Sequence, residues 1–138
     1  MAEQENKAVV QGMIEELFNK KNVDALGDFF AEDMVDHNPP PTDKPGLEGM
    51  KEMFHMFFNA FPDIHIEVED LIAEGDTVVM RGTTTGTHQG DFMGIPATGK
   101  KVSYGEIHIV RVVGGKMVEH WGVEDQMGLM QQLGVVPS

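Results

Sequence analysis

The chain has 138 residues, 10 of them basic and 23 acidic, so its net charge is -13; this length suits a single domain, and so negative a surface repels the phosphates of nucleic acids. No apolar stretch is long enough to cross a bilayer, and the N-terminal residues lack the basic and then apolar pattern of a secretion signal. We therefore expect one domain over residues 1–138 in the cytoplasm, with no membrane or nucleic-acid partner.

The first half of the chain has the apolar spacing of helices. Residues 3–21 place Val10 and Leu17 on one face, which is typical of an amphipathic helix. Asn22 is a good capping residue for a second, short helix whose apolar positions include Phe30. Both segments are thus predicted to cover a core.

A proline-rich loop and a third helix come next. The loop, HNPPPTDKPG, is predicted to be rigid because proline fixes φ and removes a hydrogen-bond donor. The helix is predicted from Leu47 to Phe61, and Pro62 ends it.

The apolar period then changes from 3.6 to 2, which indicates strands. Four are predicted, from the stretches DIHIEVED, TVVMRGTTTG, VSYGEIHIVRVV and KMVEHWGVED. The last two are joined by Gly114 and Gly115, a good two-residue hairpin turn. A short helix follows and ends at Gly134. Helices first and antiparallel strands later predict an α+β fold.

The Gly114–Gly115 turn gives a register for the hairpin. Val113 lies opposite Lys116, and uninterrupted counting brings His108 opposite Trp121. One face then carries His108, Val110, Val112, Met117, Glu119, Trp121, Val123 and Asp125. The other carries Ile107, Ile109, Arg111, Val118, His120, Gly122 and Glu124. A turn one residue longer would break this pairing.

Asp125 is the candidate acid/base group of the first face. Beside Trp121 in a closed cavity its charged form would be desolvated, which raises the pKa of a carboxyl toward the range useful for proton transfer. The alternative is that Asp125 caps the helix that starts at Gln126. His108 shares the predicted face and could bind a substrate carbonyl, or it could be a buried histidine satisfied by the backbone.

Three stretches carry a resemblance to a known family. AEDMVDHNP, FPDIHIEVEDLIAEGDTVVMRGTTTGTHQGDFMGIPATGKKV and GGKMVEHWGVEDQMGLMQQLG resemble the SnoaL-like, or ester-cyclase-like, polyketide cyclase family of the nuclear transport factor two-like superfamily. The resemblance implies a conical α+β barrel, with three N-terminal helices against a strongly curved, mostly antiparallel sheet and a short C-terminal helix. It also implies an apolar cavity, dimers, and chemistry without a metal or cofactor.

The resemblance also implies roles for individual residues. An aspartate on the last strand is the family's general acid/base, which matches Asp125, and a histidine on the preceding strand assists, for which His108 is the nearest match. The expected substrate-binding residues are Trp121, His37, Arg81, His88, Phe57 and Val110. His37 and His88 could instead be held by loop contacts, and Arg81 could pair with Asp125 or lie on the surface. His55, His65 and His120 are expected at surface or interface positions.

Three functions remain open from the sequence. The first is cofactor-independent ring closure or enolisation of a small apolar carbonyl compound. The second is epoxide hydrolysis by an Asp-Arg-Asp set. Arg81 and Asp125 could match two of its members, but Thr83 occupies the position expected for the first aspartate. The third is a non-catalytic binding or interaction domain whose cavity its own side chains fill. The sequence contains neither an H-x-x-x-H spacing nor a cysteine, so it offers no signal of a metal site. A homodimer through the convex face of the sheet is expected.

Overall fold

A computed structural model describes residues 2–39 and 42–137, so Pro40 and Pro41 of the predicted rigid loop lie outside the described residues. The helices are α1 (Ala2–Met13, continued by a π-helical turn over Ile14–Asn19), α2 (Leu26–Phe29, preceded by a 3-10 turn over Val23–Ala25), α3 (Gly46–Ala60) and α4 (Gln126–Leu133). Within the described part of the chain, no helix is long and apolar enough to cross a membrane.

Five strands form one curved, unclosed sheet. They are β1 (Phe30–Asp36), β2 (His65–Glu74), β3 (Thr77–Thr87), β4 (Lys101–Val113) and β5 (Lys116–Glu124). Their order across the sheet is β1-β5-β4-β3-β2. β1 runs parallel to β5, and the other neighbours are antiparallel. The predicted α+β architecture, with helices before a mostly antiparallel curved sheet, is confirmed.

Strand β1 is missing from the sequence prediction, which placed Phe30 in a helix. Phe30 instead begins β1 and is 5% exposed in the core. The rest of this edge strand carries Glu32, Asp33 and Asp36, and charged side chains are common on edges because they discourage further strand pairing. Its partner β5 lies far along the chain, so no local period signals the pairing.

Two apolar clusters anchor the helices on one face of the sheet. The larger contains Leu17 of the π-helical turn, Phe54 of α3, and Val110 and Val112 of β4. The smaller lies near the other end of β4, where Val102 packs with residues that include Phe61, Phe92, Leu129 and Leu133. Inward positions of β4 between the two clusters hold Glu106 and His108. The polar centre of the molecule therefore lies between two apolar ends.

A bulge in β5 changes the predicted register. Val113 pairs with Lys116 and Val112 with Met117, as predicted, on a turn whose two glycines both have positive φ. Arg111 then pairs with Glu119, so Val118 is an extra residue on β5. A bulge of this kind reverses the alternation beyond it. His108 consequently lies opposite Gly122, and the prediction that it faces Trp121 is wrong.

Candidate active site

A cavity of about 130 Å³ lies between the helices and the inner face of the sheet. Most of its wall is apolar and includes Met13, Phe18, Phe54, Phe57, Met80 and Val110. An engineered apolar cavity of about 150 Å³ binds benzene, so this space suits one ring of a ligand. Phe57 and Val110 thus lie where the sequence predicted them.

Five polar side chains form one hydrogen-bonded row, hereafter the polar row, on the sheet side of the cavity. Asp36 Oδ1 lies 2.8 Å from His120 Nδ1, and His120 Nε2 lies 2.8 Å from His108 Nδ1. His108 Nε2 lies 3.1 Å from Glu106 Oε1, and the Thr84 hydroxyl donates to Glu106 Oε2 at 2.7 Å. The polar row joins four strands, β1, β5, β4 and β3.

The hydrogen bonds of the polar row set how many hydrogens its two histidines carry when both carboxyls are ionised. With Asp36 and Glu106 ionised, His120 Nδ1 and His108 Nε2 each donate a hydrogen to a carboxylate. The hydrogen bond between the two rings holds a third hydrogen. Two neutral imidazoles carry only one hydrogen each, so the pair holds one extra proton and one positive charge. The polar row is therefore a histidine cation between two carboxylates.

Neighbouring charges and hydrogen bonds shift the pKa values of His108 and Asp36 in the polar row. Burial disfavours the charged form of His108, but the hydrogen bond and charge of Glu106, with the charges of Glu124 and Asp36, outweigh it and raise its pKa. Burial by itself would raise the pKa of Asp36, but the hydrogen bond and charge of His120 lower it below the ordinary value. Each group is thus held in its charged form.

Gly122 has no side chain, and the imidazoles of His108 and His120 occupy the space where one would lie. It pairs across the hairpin with His108. A Cβ at this position would overlap His108 Nδ1, at a separation that real Cβ atoms do not show, and would lie 3.0 Å from His120 Nε2. The absence of a side chain at Gly122 is therefore a condition for the ring-to-ring hydrogen bond.

Glu124 is a third carboxyl on the cavity wall, beside those of Asp36 and Glu106. It is the cross-strand partner of Glu106, and the bulge in β5 turns it inward. Burial, and then the charge of Glu106, raise its pKa, while His108 acts in the opposite direction with a smaller effect. The surroundings of Glu124 therefore differ from those of Glu106 and Asp36, which accept hydrogen bonds from the polar row.

Trp121 and His37 lie on the opposite face of the sheet, so their predicted placement in the cavity is wrong. Trp121 is 37% exposed and stacks on His37, with ring centroids 4.6 Å apart. His37 Nε2 lies 2.8 Å from Glu119 Oε2. The bulge at Val118 is the physical reason, because it sends Trp121 outward and His120 inward.

Asp125 also lies outside the cavity. It follows the last residue of β5, is exposed, and accepts a hydrogen bond from the backbone N–H of Gly128 at 2.9 Å. This is the helix-capping alternative, with Asp125 as the N-cap of α4. The predicted burial of its carboxyl against Trp121 is wrong, because the chain turns into α4 at this point.

Arg81 and His88 are likewise held away from the cavity. Arg81 is exposed and its Nε donates to Asp70 at 2.6 Å, while Thr83 bonds Glu69. His88 is fully buried against Phe61, and its Nδ1 accepts from the backbone N–H of Thr98 at 3.2 Å. Arg81 does not meet Asp125, so the set that epoxide hydrolysis needs is not assembled.

Sequence reasoning missed Asp36, Glu106, His120 and Glu124 as cavity residues. Glu106 had a usable signal, because it falls at an inward position in the alternating row Val102, Tyr104, Glu106, His108, Val110 and Val112, which is otherwise largely apolar. His120 was expected at the surface, yet its side chain is only 18% exposed. Nothing in the local pattern marks the bulge that turns His120 and Glu124 inward.

Comparison with known proteins identifies the relatives of this chain. The family model described as SnoaL-like polyketide cyclase matches residues 8–133. The chain is 32% identical over 101 residues to the aklanonic acid methyl ester cyclase DnrD of Streptomyces peucetius, covering 72% of this chain and 68% of that protein. It is 29% identical to the aklanonic acid methyl ester cyclase DauD of Streptomyces sp. strain C5, over 91% of this chain and 80% of that one.

The fold is also similar to solved structures. AclR of Streptomyces galilaeus, described as a candidate hydroxylase, superposes with a TM-score of 0.86 at 33% identity. The match covers 99% of this chain and 85% of AclR. The likeness thus extends over nearly the whole chain described here.

Proposed function

The chain belongs to the SnoaL-like polyketide cyclase family, and on this premise we propose that its cavity closes a ring in a polyketide carbonyl compound by acid/base catalysis, without a cofactor. The observation that carries the proposal is the carboxylate of Glu106. It is 7% exposed, lines an apolar cavity, and accepts hydrogen bonds from His108 and Thr84. A buried carboxylate held in this way can act as a proton acceptor.

Ring closure by an intramolecular aldol reaction moves one proton and forms one bond. Glu106 removes a proton from the carbon beside a carbonyl, and the resulting enolate carbon attacks a second carbonyl carbon of the same molecule. The oxygen of that second carbonyl takes up a proton and becomes a hydroxyl. The two donors hold the carboxyl of Glu106 in place, and the positive charge of the histidine pair compensates the enolate charge.

The charges of the cavity favour a neutral substrate. Asp36, Glu106 and Glu124 all line the cavity, and the histidine pair supplies a single positive charge. A free carboxylate on the substrate would be repelled by this excess of acid, whereas its ester would not. Two relatives are named for methyl ester substrates. We therefore propose an esterified polyketide, with one ring or chain end in the cavity.

The test is turnover of aklanonic acid methyl ester, followed by chromatography of the product. Glu106→Gln keeps the shape of the side chain and should lower kcat by about 10²-fold or more, because it removes the proton acceptor. The matched control is Asp125→Asn, which retains a good N-cap and should keep wild-type activity. Equal activity of Glu106→Gln and wild type, or loss of activity in Asp125→Asn alone, would contradict the proposal.

We also propose that the chain forms a homodimer through the outer face of the sheet, the face turned away from α1 and α3. Ile109 pairs with Val79 on one side and Trp121 on the other, and Ile72 extends this row. Val123 beside it is 66% exposed. An apolar strip across four strands is typical of a subunit interface.

Light scattering at micromolar concentration tests the dimer. Val123→Glu places a charge on the strip and should convert the dimer into a monomer. Met127→Glu makes the same kind of change at another exposed position, 62% exposed on α4, and should leave the mass unchanged. A monomeric wild type would overturn the dimer and leave the proposed chemistry intact.

A further inference from the structure

Glu124 is the cavity carboxyl that has no assigned use in the protein. Glu106 is bound by His108 and Thr84, and Asp36 by His120. Within the described residues, the carboxyl of Glu124 receives no hydrogen bond, and only burial and the charges of its neighbours act on it. Its side chain nevertheless lines the cavity. Its hydrogen-bonding capacity is therefore open to a ligand.

We propose that Glu124 is the general acid of the ring closure, which donates a proton to the carbonyl oxygen that becomes the new hydroxyl. This inference rests on the proposed function, since it assigns the second half of that reaction. Glu124 would contact the substrate directly and is therefore proposed as a catalytic residue. It also defines the orientation of the substrate, with the accepting carbonyl toward Glu124 and the acidic carbon toward Glu106.

The surroundings of the two glutamates differ. Glu106 accepts hydrogen bonds from Thr84 and His108, so both of its oxygens are already bonded within the protein. Glu124 is buried beside the charge of Glu106, and both effects raise its pKa and favour its acid form. Two carboxyls whose surroundings differ in this way are the usual arrangement of a base and an acid in one site.

The titratable groups around Glu124 come from three strands. Glu106, His108 and Tyr104 lie on β4, His120 on β5 and Asp36 on β1. The wall contributed by α3 is apolar and consists of Met50, Met53, Phe54 and Phe57. Burial, together with the charges of Glu124 and Glu106, raises the pKa of Tyr104, so this phenol stays protonated. The charges that act on the pKa of Glu124 are therefore those of Glu106, which raises it, and His108, which lowers it.

The proposed cycle balances without an outside reactant. Glu106 takes the proton from carbon, the enolate forms the carbon–carbon bond, and the π electrons of the attacked carbonyl move to its oxygen. That oxygen receives the proton of Glu124, which becomes a carboxylate. Because Glu106 and Glu124 are cross-strand partners, with Cβ atoms about 5 Å apart as is usual for such pairs, the proton on Glu106 can return to Glu124 directly or through one water.

Kinetics of Glu124→Gln and Glu124→Asp test the assignment with aklanonic acid methyl ester as the substrate. Gln can donate a hydrogen bond but no proton, so we expect kcat to fall by about 10²-fold with little change in KM. Asp restores the proton on a shorter side chain and should recover part of the rate. The wild-type rate should fall as pH rises through the raised pKa of Glu124, and this limb should vanish in Glu124→Gln.

Infrared difference spectra between neutral and high pH give a readout that needs no substrate. The wild type should show the carbonyl stretch of a buried carboxylic acid, and Glu124→Gln should lack it. Full activity and an unchanged pH profile in Glu124→Gln, with Glu106→Gln inactive, would overturn the role of Glu124 and leave the proposed function standing. A wild type without turnover would overturn the proposed function, and the general-acid role with it.

Discussion

Two carboxyl–histidine pairs link the end of β1 to β5, on opposite faces of the sheet. Asp36 and His120 form the inner pair, and His37 and Glu119, each adjacent in sequence to a member of the first, form the outer pair. Both distances are 2.8 Å. The inner side chains are 16% and 18% exposed, whereas the outer histidine is 40% exposed. The pairs thus differ in surroundings and hardly in geometry.

The comparison shows that burial and connection decide what such a pair can do. The inner pair continues through His108 to Glu106 in the cavity. The outer pair continues to Arg111 and through it to Asp76, away from the cavity. Exposed ion pairs are screened and contribute little, whereas partly buried ones shift protonation equilibria. The inner pair is therefore positioned to influence proton transfer in the cavity. The outer pair instead links the end of β1 to β5 at the edge of the sheet.

The largest difference should be seen in activity. Asp36→Asn removes the charge that holds the histidine cation, and we expect kcat to fall by about 10²-fold. Glu119→Gln makes the equivalent change on the outer face and should alter kcat less than about twofold. Steady-state kinetics at a single pH measures both, and equal losses in the two variants would show that the inner pair has no special role.

The next difference concerns stability. Gly122→Ala should separate the two imidazoles and destabilise the fold by about 1–3 kcal/mol, as overpacking does. Gly105→Ala is the matched control on β4, because its added Cβ would meet no atom within 4 Å. That control should change the free energy of unfolding by less than about 0.5 kcal/mol. Urea unfolding measures both variants. An unchanged free energy of unfolding in Gly122→Ala would show that the two imidazoles can move apart without destabilising the fold.

The inner pair should also shape the dependence of stability on pH. The raised pKa of His108 contributes stability that is present below the unfolded value near 6.5 and is lost as pH rises through the folded value. The lowered pKa of Asp36 contributes stability that is present above its unfolded value, about 4, and is lost as pH falls through the folded value. Unfolding free energy should therefore be greatest between about pH 4 and 6.5.

Single substitutions separate these two contributions. His108→Gln should flatten the alkaline decline and keep much of the acidic one, and Asp36→Asn should do the opposite. Urea titrations from pH 3 to 9 supply the curves. A pH profile identical in wild type and both variants would mean that the polar row is not charged as its geometry indicates.

The smallest effect is expected from the outer pair. Hydrogen bonds from His37 and Arg111 hold the pKa of Glu119 below its ordinary value, but its side chain is partly open to solvent, at 23% exposed. Glu119→Gln should lower the unfolding midpoint slightly at low salt and not measurably at 1 M salt, where the screening length is about 3 Å. Thermal unfolding at two salt concentrations measures this effect. A large decrease in the unfolding midpoint at both concentrations would show that the outer pair stabilises the fold as much as the inner pair does.

Periodicity predicted much of the fold. The helices, the two-glycine turn, the first two pairs of the hairpin and the end of α4 at Gly134 are all present. The resemblance to the cyclase family is confirmed by the family match and by the curated relatives. These features depend on residues close in sequence or on patterns that run over many residues. Strand β1 was missed because its hydrogen bonds go to β5, more than eighty positions away.

The site was predicted only in part. His108, Phe57 and Val110 lie on the cavity wall as expected. Trp121 lies on the outer face because one extra residue, Val118, reverses the alternation of β5. Asp125 lies outside the cavity because the chain turns into α4 there, and His37, just after β1, stacks on Trp121. A bulge depends on how the strand bends over the helices, and the local sequence does not record it.

The sequence by itself determined the class of the molecule, because apolar period, turn glycines and capping residues act over a few positions. Tertiary structure alone decided which carboxyls enter the cavity. A strand has only two faces, so a shift of one residue exchanges its inner and outer side chains. That shift turned His120 inward, into one row with Asp36, His108 and Glu106, whereas Asp125 lies beyond the strand and caps a helix.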